Sequence, residues 1–273
     1  MTQTAILEPA AALQTSTINV GQIPVTVRCA NADFHTMLAE RYAGFIDTSG
    51  GEASLEVEIT QAASADPDAD LEVCREGSVW QMKRGDFRAE WNAEIRCGRV
   101  HQTVNPYSLD SVLRIVHSLI LAEEGGFLLH AASAIRNGKA FLFSGVSGAG
   151  KTTISRLAPP DATLLTDEVS FVRPEGGTYR AWGTPFAGEL AKVGQNCSAP
   201  VATLFLLDKG PEHRIEPVSK LEATRVLMRN ILFFAQDAQL VGRVFDSAYE
   251  FVHRVPVQRL FFYPDASVWD LIQ

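Results

Sequence analysis

Residues 141–157 read FLFSGVSGAGKTTISRL, which is an apolar run, a Gly-rich loop and a helix-like segment in succession. From Gly145 to Thr152 the chain matches G-x-x-x-x-G-K-[ST], the Walker A or P-loop pattern. Glycines let consecutive backbone N–H groups turn inward around a phosphate, because no Cβ obstructs the turn. The alternative is a chance Gly-rich turn, which the flanking strand-like and helix-like residues disfavour. The sequence therefore predicts a strand, a phosphate-binding loop and a helix that ends before Pro159.

The residues of this loop have expected roles in nucleotide binding. The Lys151 ammonium reaches the β- and γ-phosphates of a nucleotide, and the Thr152 hydroxyl coordinates Mg²⁺. The expected ligands are therefore ATP and Mg²⁺. The other residues expected to contact phosphate are Gly145, Ser147, Gly148, Ala149, Gly150 and Thr153.

A second acidic element follows the loop. Residues 162–172 read ATLLTDEVSFV, an apolar run that reaches Asp167 and Glu168. P-loop proteins hold Mg²⁺ with an acidic residue at the end of another strand, and a nearby carboxylate can accept the proton of an incoming hydroxyl. We expect Asp167 and Glu168 to divide these two roles, in an order that the sequence leaves open. Asp161 and Glu175 are weaker candidates, because neither follows an apolar run.

A histidine upstream of the loop connects these motifs to a known family. In FLLHAASAIRNGKAFLFSGVSGAGKTT (127–153), His130 precedes Lys151 by 21 residues. Together with GxSGxGKT and the acidic pair, this order resembles the C-terminal catalytic domain of the HPr kinase/phosphorylase family. The resemblance implies an α/β P-loop domain related to phosphoenolpyruvate carboxykinase. It also implies a kinase with His130 at its active site, which phosphorylates a hydroxyl, serine above all, of a peptide, protein or small molecule.

The segment that follows resembles a branch of that family. Residues 178–200 read TYRAWGTPFAGELAKVGQNCSAP, which resembles the shorter HPr-kinase-like proteins found beside peptide-modification genes. The side chains of Trp182, Pro185 and Phe186 either line an acceptor pocket or pack in the core. Arg180 and Lys192 either stabilise a transferring phosphoryl group or are solvated surface charges.

The sequence pattern of the first part of the chain is typical of a β-rich α+β domain, which we assign to residues 1–104. One helix is predicted at 32–45 with Asn31 as its N-cap, and a polar surface loop at 62–70. Short alternating runs typical of strands occur at 53–60, 71–77, 78–84 and 86–92.

From residue 105 onward we expect an α/β catalytic domain that reaches residue 273. A long amphipathic helix is predicted within 108–126, with His117 packed among its apolar residues. Segment 220–234 is apolar on most faces of a helix, which indicates either core packing or a contact between copies in a homo-oligomer. Strand-like runs alternate with helical ones, at 127–135, 140–145, 162–168, 202–208 and 258–263.

Composition limits the partners and the location. The chain has 273 residues, 24 basic against 32 acidic, and a net charge of −8, which argues against general binding to nucleic acids or anionic membranes. The N-terminal residues lack the pattern of a signal peptide, and no apolar run is long enough to span a bilayer. The four cysteines are scattered and fit reduced thiols, so a cytoplasmic location is expected.

Two other functions fit the same motifs. The first is a nucleotide-dependent ATPase switch, in which Glu168 polarises water. The second is an ATP-binding module without kinase activity that presents a peptide to another enzyme.

Overall fold

The computed structural model describes residues 12–60 and 69–273. The loop predicted at 62–70 therefore lies almost wholly outside the described residues, as does most of the N-terminal stretch before residue 17. Within the described ranges there are seventeen strands and five α-helices, which build a mixed α/β fold with two large sheets and few helices.

The strands of the first sheet are β1 (Gln14–Val20), β2 (Ile23–Cys29), β3 (Ile46–Asp47), β4 (Ala53–Ile59), β5 (Glu72–Glu76), β6 (Val79–Arg84), β7 (Phe87–Asn92) and β8 (Cys97–Gln102). The strands of the second sheet are β9 (Phe127–Arg136), β10 (Lys139–Ser144), β11 (Thr163–Thr166), β12 (Val169–Glu175), β13 (Thr178–Trp182), β14 (Ser198–Lys209), β15 (Arg214–Pro217), β16 (Ile231–Leu232) and β17 (Val257–Phe262). The helices are α1 (Ala32–Arg41), α2 (Pro106–Glu124), α3 (Lys151–Arg156), α4 (Lys220–Asn230) and α5 (Ala238–Arg254), with 3₁₀ segments at Ala43–Phe45 and Ala266–Leu271.

The first sheet has eight strands in the order β3-β1-β2-β4-β8-β7-β6-β5. Strand β4 is parallel to both of its neighbours, and the other pairs are antiparallel. Alternate residues of β4 and β7 are buried and exposed, as expected for a sheet with one apolar face. The strands predicted at 53–60, 71–77, 78–84 and 86–92 are thus confirmed. The helix predicted at 32–45 begins as expected after the Asn31 cap, whose side chain accepts from the Phe34 amide, but it ends at Arg41 and a 3₁₀ turn follows at Ala43–Phe45.

The second sheet positions the candidate site. Its main order is β10-β9-β12-β13-β14-β17-β15, and β10 also pairs with β14, so that five strands form a closed ring of pairings. Strand β9 changes partner along its length. Residues 127–130 pair with β12, and residues 128 and 129 also pair with β16 on the other edge. Residues 131–136 pair with β10, and residues 133–135 also pair with β11. The end of β10 and the start of β12 therefore meet at the middle of β9.

Two expectations for the second half are wrong. The alternation of strands and helices fails between residues 163 and 217, where β11 to β15 follow one another without an α-helix. The helix predicted over 220–234 ends at Asn230, and Ile231 and Leu232 instead pair with Leu129 and Leu128 of β9. The gain in backbone pairing at this edge overrides the helical pattern of the last four residues.

Helix α2 lies between the two sheets. Asn105 caps its first turn, and Gly125 ends it in the left-handed conformation. His117 is fully buried on this helix, and its ring contacts the Leu113 carbonyl, so the prediction of a packed histidine is confirmed. One apolar cluster joins the first sheet, α1, α2 and residues of β9 and β12 such as Phe171. The division at 104/105 therefore stays a prediction.

Two further properties concern the whole described chain. None of the helices within residues 12–60 and 69–273 combines the length and apolar character needed to cross a bilayer. Cys29, Cys74, Cys97 and Cys197 are all free thiols, in agreement with the expectation from their spacing.

Candidate functional site

The Gly-rich loop of residues 145–150 leaves β10 and enters α3, as its sequence predicts. Gly148 has φ +75° and Gly150 has φ +110°, conformations that side-chain-bearing residues rarely adopt. A Cβ at Gly150 would lie 2.6 Å from Cζ of Phe262, and one at Gly145 would lie 2.8 Å from Cβ of Ala149. Glycine is therefore required at these positions by backbone conformation and by close packing.

Lys151 begins α3, and its side chain folds back over the loop. Its Nζ donates to the Gly145 carbonyl oxygen at 3.1 Å, and the residue is 9% exposed. Burial lowers the pKa of Lys151, and the negative charges of Glu168 and Glu189 oppose that shift. The ammonium is thus held at the loop, where a phosphate would be its next partner.

His130 lies at the point where β9 changes partner. Its Cα is paired with Val169 of β12, and its carbonyl oxygen accepts from the hydroxyl of Ser144, the last residue of β10. The next amide, of Ala131, donates to the Glu168 carbonyl oxygen at 3.1 Å. This register places the acidic pair and the start of the Gly-rich loop on either side of one histidine.

The His130 ring faces the Glu168 carboxylate. Nδ1 of His130 is 3.7 Å from Oε1 of Glu168, and each side chain is about one-third exposed. Burial lowers the pKa of His130, with the positive charge of Lys151 acting in the same direction and Glu168 against it. A histidine with a lowered pKa is neutral at pH 7, so its ring can accept a proton from a bound molecule.

Asp167 has a different environment from that of its neighbour. It is 2% exposed, and its two oxygens accept from the Gly188 amide at 2.9 Å and the Leu190 amide at 2.8 Å. A Cβ at Gly188 would lie 2.8 Å from Oε2 of Glu168 and 2.9 Å from Oδ2 of Asp167. The absence of a side chain at Gly188 thus lets this loop close over both carboxylates.

Two residues that the sequence reasoning did not select also line the site. Glu189 accepts from the Thr152 hydroxyl at 3.0 Å, which connects the loop at 187–190 to the start of α3. Arg114 of α2 has its guanidinium carbon 5.0 Å from the Phe186 ring centroid. Their sequence signals, which were not used, are an acidic residue in the Gly-containing stretch AGEL and a single arginine within an apolar helix.

These side chains enclose a cavity of about 580 Å³. Of the predicted site residues, Gly145 and Ala149 support the loop from within, and the others reach the cavity wall. The cavity is lined by Arg114, His130, Ser147, Gly148, Gly150, Lys151, Thr152, Thr153, Asp167, Glu168, Ala187, Gly188 and Glu189.

Other candidate side chains from the segment 178–200 lie outside this cavity. Arg180 forms an ion pair with Glu175 at 2.9 Å and, with Trp182, lines a separate cavity. Lys192 is exposed and is not part of the wall of the site. Phe186 is buried beneath Arg114, so its role is packing rather than lining.

Oxygen atoms of several side chains lie around the Gly-rich loop and could serve as ligands for Mg²⁺. In the described ranges, no three His, Cys, Asp or Glu side chains converge to hold a metal ion. Mg²⁺ prefers oxygen ligands and usually keeps waters and substrate phosphates beside one or two carboxylates. The Thr152 hydroxyl and the carboxylates of Asp167, Glu168 and Glu189 supply oxygen donors around the phosphate-sized loop.

Comparisons with known proteins assign the chain to a family. No curated protein matches the chain. Among solved structures, the HPr(Ser) kinase/phosphatase from Coxiella burnetii is 14% identical, with 53% of this chain and 85% of that chain covered and a TM-score of 0.29. A likeness of this size does not transfer the activity of that protein. The family model "SynChlorMet cassette protein ScmC" matches residues 97–273, which is more than half of the chain. The chain therefore belongs to the ScmC family of SynChlorMet cassette proteins.

Proposed function

We propose that this protein is a kinase that uses ATP and Mg²⁺ to phosphorylate a hydroxyl group, serine above all, of a peptide, protein or small molecule. The observation that carries the proposal is the Walker A loop with its required glycines, facing Glu168 and His130 across one cavity. A cytoplasmic setting, where ATP is abundant and thiols stay reduced, belongs to the same proposal. We do not include nucleic acid or membrane among the acceptors, given the net charge of −8.

The loop residues form the donor side of the cavity in this proposal. The amides of residues 147–150 and the Lys151 ammonium bind the β- and γ-phosphates of ATP. Thr152, with the acidic residues, holds Mg²⁺. The ion, when bound, neutralises the charge on the phosphate oxygens.

Asp167 and Glu168 have different roles in this proposal, because their surroundings differ. Asp167 already accepts two backbone amides, so it fixes the loop at 187–190 and has one further lone pair on each oxygen for a metal. Glu168 accepts no hydrogen bond from a described residue at its carboxylate, and it faces His130. We therefore assign to Glu168 the role of general base, which takes the proton of the acceptor hydroxyl as the new O–P bond forms and ADP leaves.

His130 is then a positioning residue for that base. At 3.7 Å from Glu168 it can orient the carboxylate or hold the acceptor hydroxyl between the two side chains.

The test is incubation of the protein with ATP, Mg²⁺ and a panel of hydroxyl-bearing peptides and small molecules, analysed by mass spectrometry. Phosphorylated acceptor from the wild type, lost in Glu168→Gln, supports the proposal. Phosphate release that needs no acceptor indicates an ATPase switch instead. ATP binding without any turnover indicates a binding module.

A matched control separates the chemistry from general effects of charge removal. Glu90 of β7 is an exposed glutamate on the first sheet, and Glu90→Gln makes the same chemical change away from the cavity. Glu90→Gln is expected to retain wild-type transfer, while Glu168→Gln loses about 10² to 10⁴-fold, the usual scale of a general base. Equal rates in the two variants would contradict the assignment of Glu168.

A further inference from the structure

Arg114 is a positive group in the cavity wall with no protein counterpart. Within residues 12–60 and 69–273 it forms no ion pair and no hydrogen bond, and its Nε is buried without a partner. The Phe186 ring, 5.0 Å below the guanidinium carbon, supports its plane. An arginine is charged at any physiological pH, so an unpaired guanidinium in a partly buried position calls for an anion.

The carboxylates nearest to Arg114 are engaged elsewhere. Asp110, one helical turn before it, accepts from Arg41 and from the Tyr42 hydroxyl. Glu168 faces His130. The protein therefore leaves the guanidinium free for an anion that arrives with a ligand.

The position of Arg114 indicates which ligand that is. Leu128 of β9 packs in the apolar cluster that includes α2, whereas Ala132 and Ala134 pack in the cluster that includes Ile154 of α3. Because alternate residues of a strand share one face, His130 lies on this face between α2, which carries Arg114, and α3, which carries Lys151. The Lys151 end of the cavity belongs to the Gly-rich loop, so the Arg114 end faces the other substrate.

We propose that Arg114 binds a carboxylate of the acceptor molecule, close to the hydroxyl that is phosphorylated. This inference rests on the proposed kinase function. The planar fork of a guanidinium matches a carboxylate through two parallel hydrogen bonds. A monoanion balances the single charge of Arg114, whereas a dianionic phosphate would add excess negative charge beside Glu168. The carboxylate is either the C-terminus of a peptide whose last residue is serine or the side chain of an acidic residue beside the serine.

The experiment uses two matched pairs of short acetylated peptides with mixed neutral residues at the first positions. One pair ends in serine with a free carboxylate or a carboxamide. The other ends in Ser-Asp-amide or Ser-Asn-amide. For each peptide, kcat and KM are measured with the wild-type chain, Arg114→Gln and Arg114→Lys, and ATP affinity is measured beside them.

The wild type is expected to phosphorylate the carboxylate member of one pair at least tenfold better in kcat/KM, and that pair identifies the source of the carboxylate. Arg114→Gln should lose this preference through a KM raised about 10- to 100-fold, the scale for removal of a charge-assisted partner. Arg114→Lys should retain part of it, because the charge stays and the fork is lost. ATP affinity should be unchanged in both variants, which also shows that they are folded.

Three results would overturn the inference. In the first, the wild type makes no distinction within either pair. In the second, Arg114→Gln keeps the preference, or lowers kcat equally for all four peptides, which would place Arg114 on the transferring phosphoryl group. In the third, the wild type phosphorylates other hydroxyl acceptors but none of these peptides. Only the absence of transfer to every acceptor tested would overturn the proposed kinase function as well.

Discussion

Replacement of Asp167 by asparagine tests the link between the acidic pair and the loop at 187–190. The two oxygens of the buried Asp167 carboxylate accept from the amides of Gly188 and Leu190 at 2.9 and 2.8 Å. Asparagine has one oxygen and one NH₂ group, so it can accept only one of these bonds. The second amide would then face another donor.

The size of the effect follows from these two bonds. Hydrogen bonds to a charged group contribute about 1.5–3 kcal/mol each, and a neutral bond about 0.5–1.5 kcal/mol. Asp167→Asn replaces two hydrogen bonds to a charged carboxylate by one hydrogen bond to a neutral oxygen, and it leaves one backbone amide unsatisfied. We therefore expect Asp167→Asn to lower stability by about 2–5 kcal/mol. The loop at 187–190, which the carboxylate holds, should open more readily before the rest of the protein unfolds.

Hydrogen exchange at the amides of Gly188 and Leu190, read by NMR, measures this effect directly. A loss of about 2 kcal/mol corresponds to roughly thirtyfold faster exchange in Asp167→Asn. Urea denaturation of the same variant shows how much of the loss reaches global unfolding. Asp161→Asn, at a side chain that is 56% exposed, is the matched control and should leave these amides unchanged. Unaltered exchange in Asp167→Asn would show that the carboxylate does not hold the loop at 187–190.

Three further predictions concern other parts of the molecule. Burial lowers the pKa of His117, so the unfolded chain binds a proton more readily below pH about 6.5; the free energy of unfolding should fall from pH 7.5 to 5.5 in denaturant titrations, and less so in His117→Gln. Gly150→Ala should destabilise the protein by about 1–3 kcal/mol, because the backbone is strained for alanine and the new Cβ meets Phe262, whereas Gly148→Ala, with open space at its Cβ, should cost less in the same melts. His130→Ala should lower phosphoryl transfer at least tenfold, about 1.4 kcal/mol of barrier, with little change in melting temperature; a large loss of stability with unchanged kinetics would assign His130 to the core instead.

The parts of the site that are contiguous in sequence could be predicted from it. The strand, Gly-rich loop and helix of residues 139–156 follow from local residue preferences, since the glycines and the apolar run need no distant partner to be recognised. The Asn31 cap is local in the same way, because its side chain bonds to the amide three residues further along the chain.

The parts that depend on strand register could not be predicted. The partner change in the middle of β9, which brings His130 to Glu168, is set by tertiary packing and leaves no local pattern. Arg114 reaches the cavity from a helix whose other residues are mostly core, and Glu189 arrives with a loop held by Asp167. The early end of α4 has the same cause, because pairing of residues 231 and 232 with β9 decides it.

Transfer of labelled phosphate from ATP tests whether this protein is a kinase that depends on Lys151. The wild-type chain, Lys151→Ala and Lys139→Ala are each incubated with γ-³²P-labelled ATP, Mg²⁺ and the acceptor panel, and the label is followed into the acceptor. Lys139 is an exposed lysine at the start of β10, close in sequence but outside the cavity. We expect labelled acceptor with the wild type and Lys139→Ala, and a loss of at least about 100-fold with a folded Lys151→Ala. Transfer of label by Lys151→Ala at the wild-type rate would contradict the role of Lys151. The absence of label in every acceptor with all three proteins would contradict the kinase function.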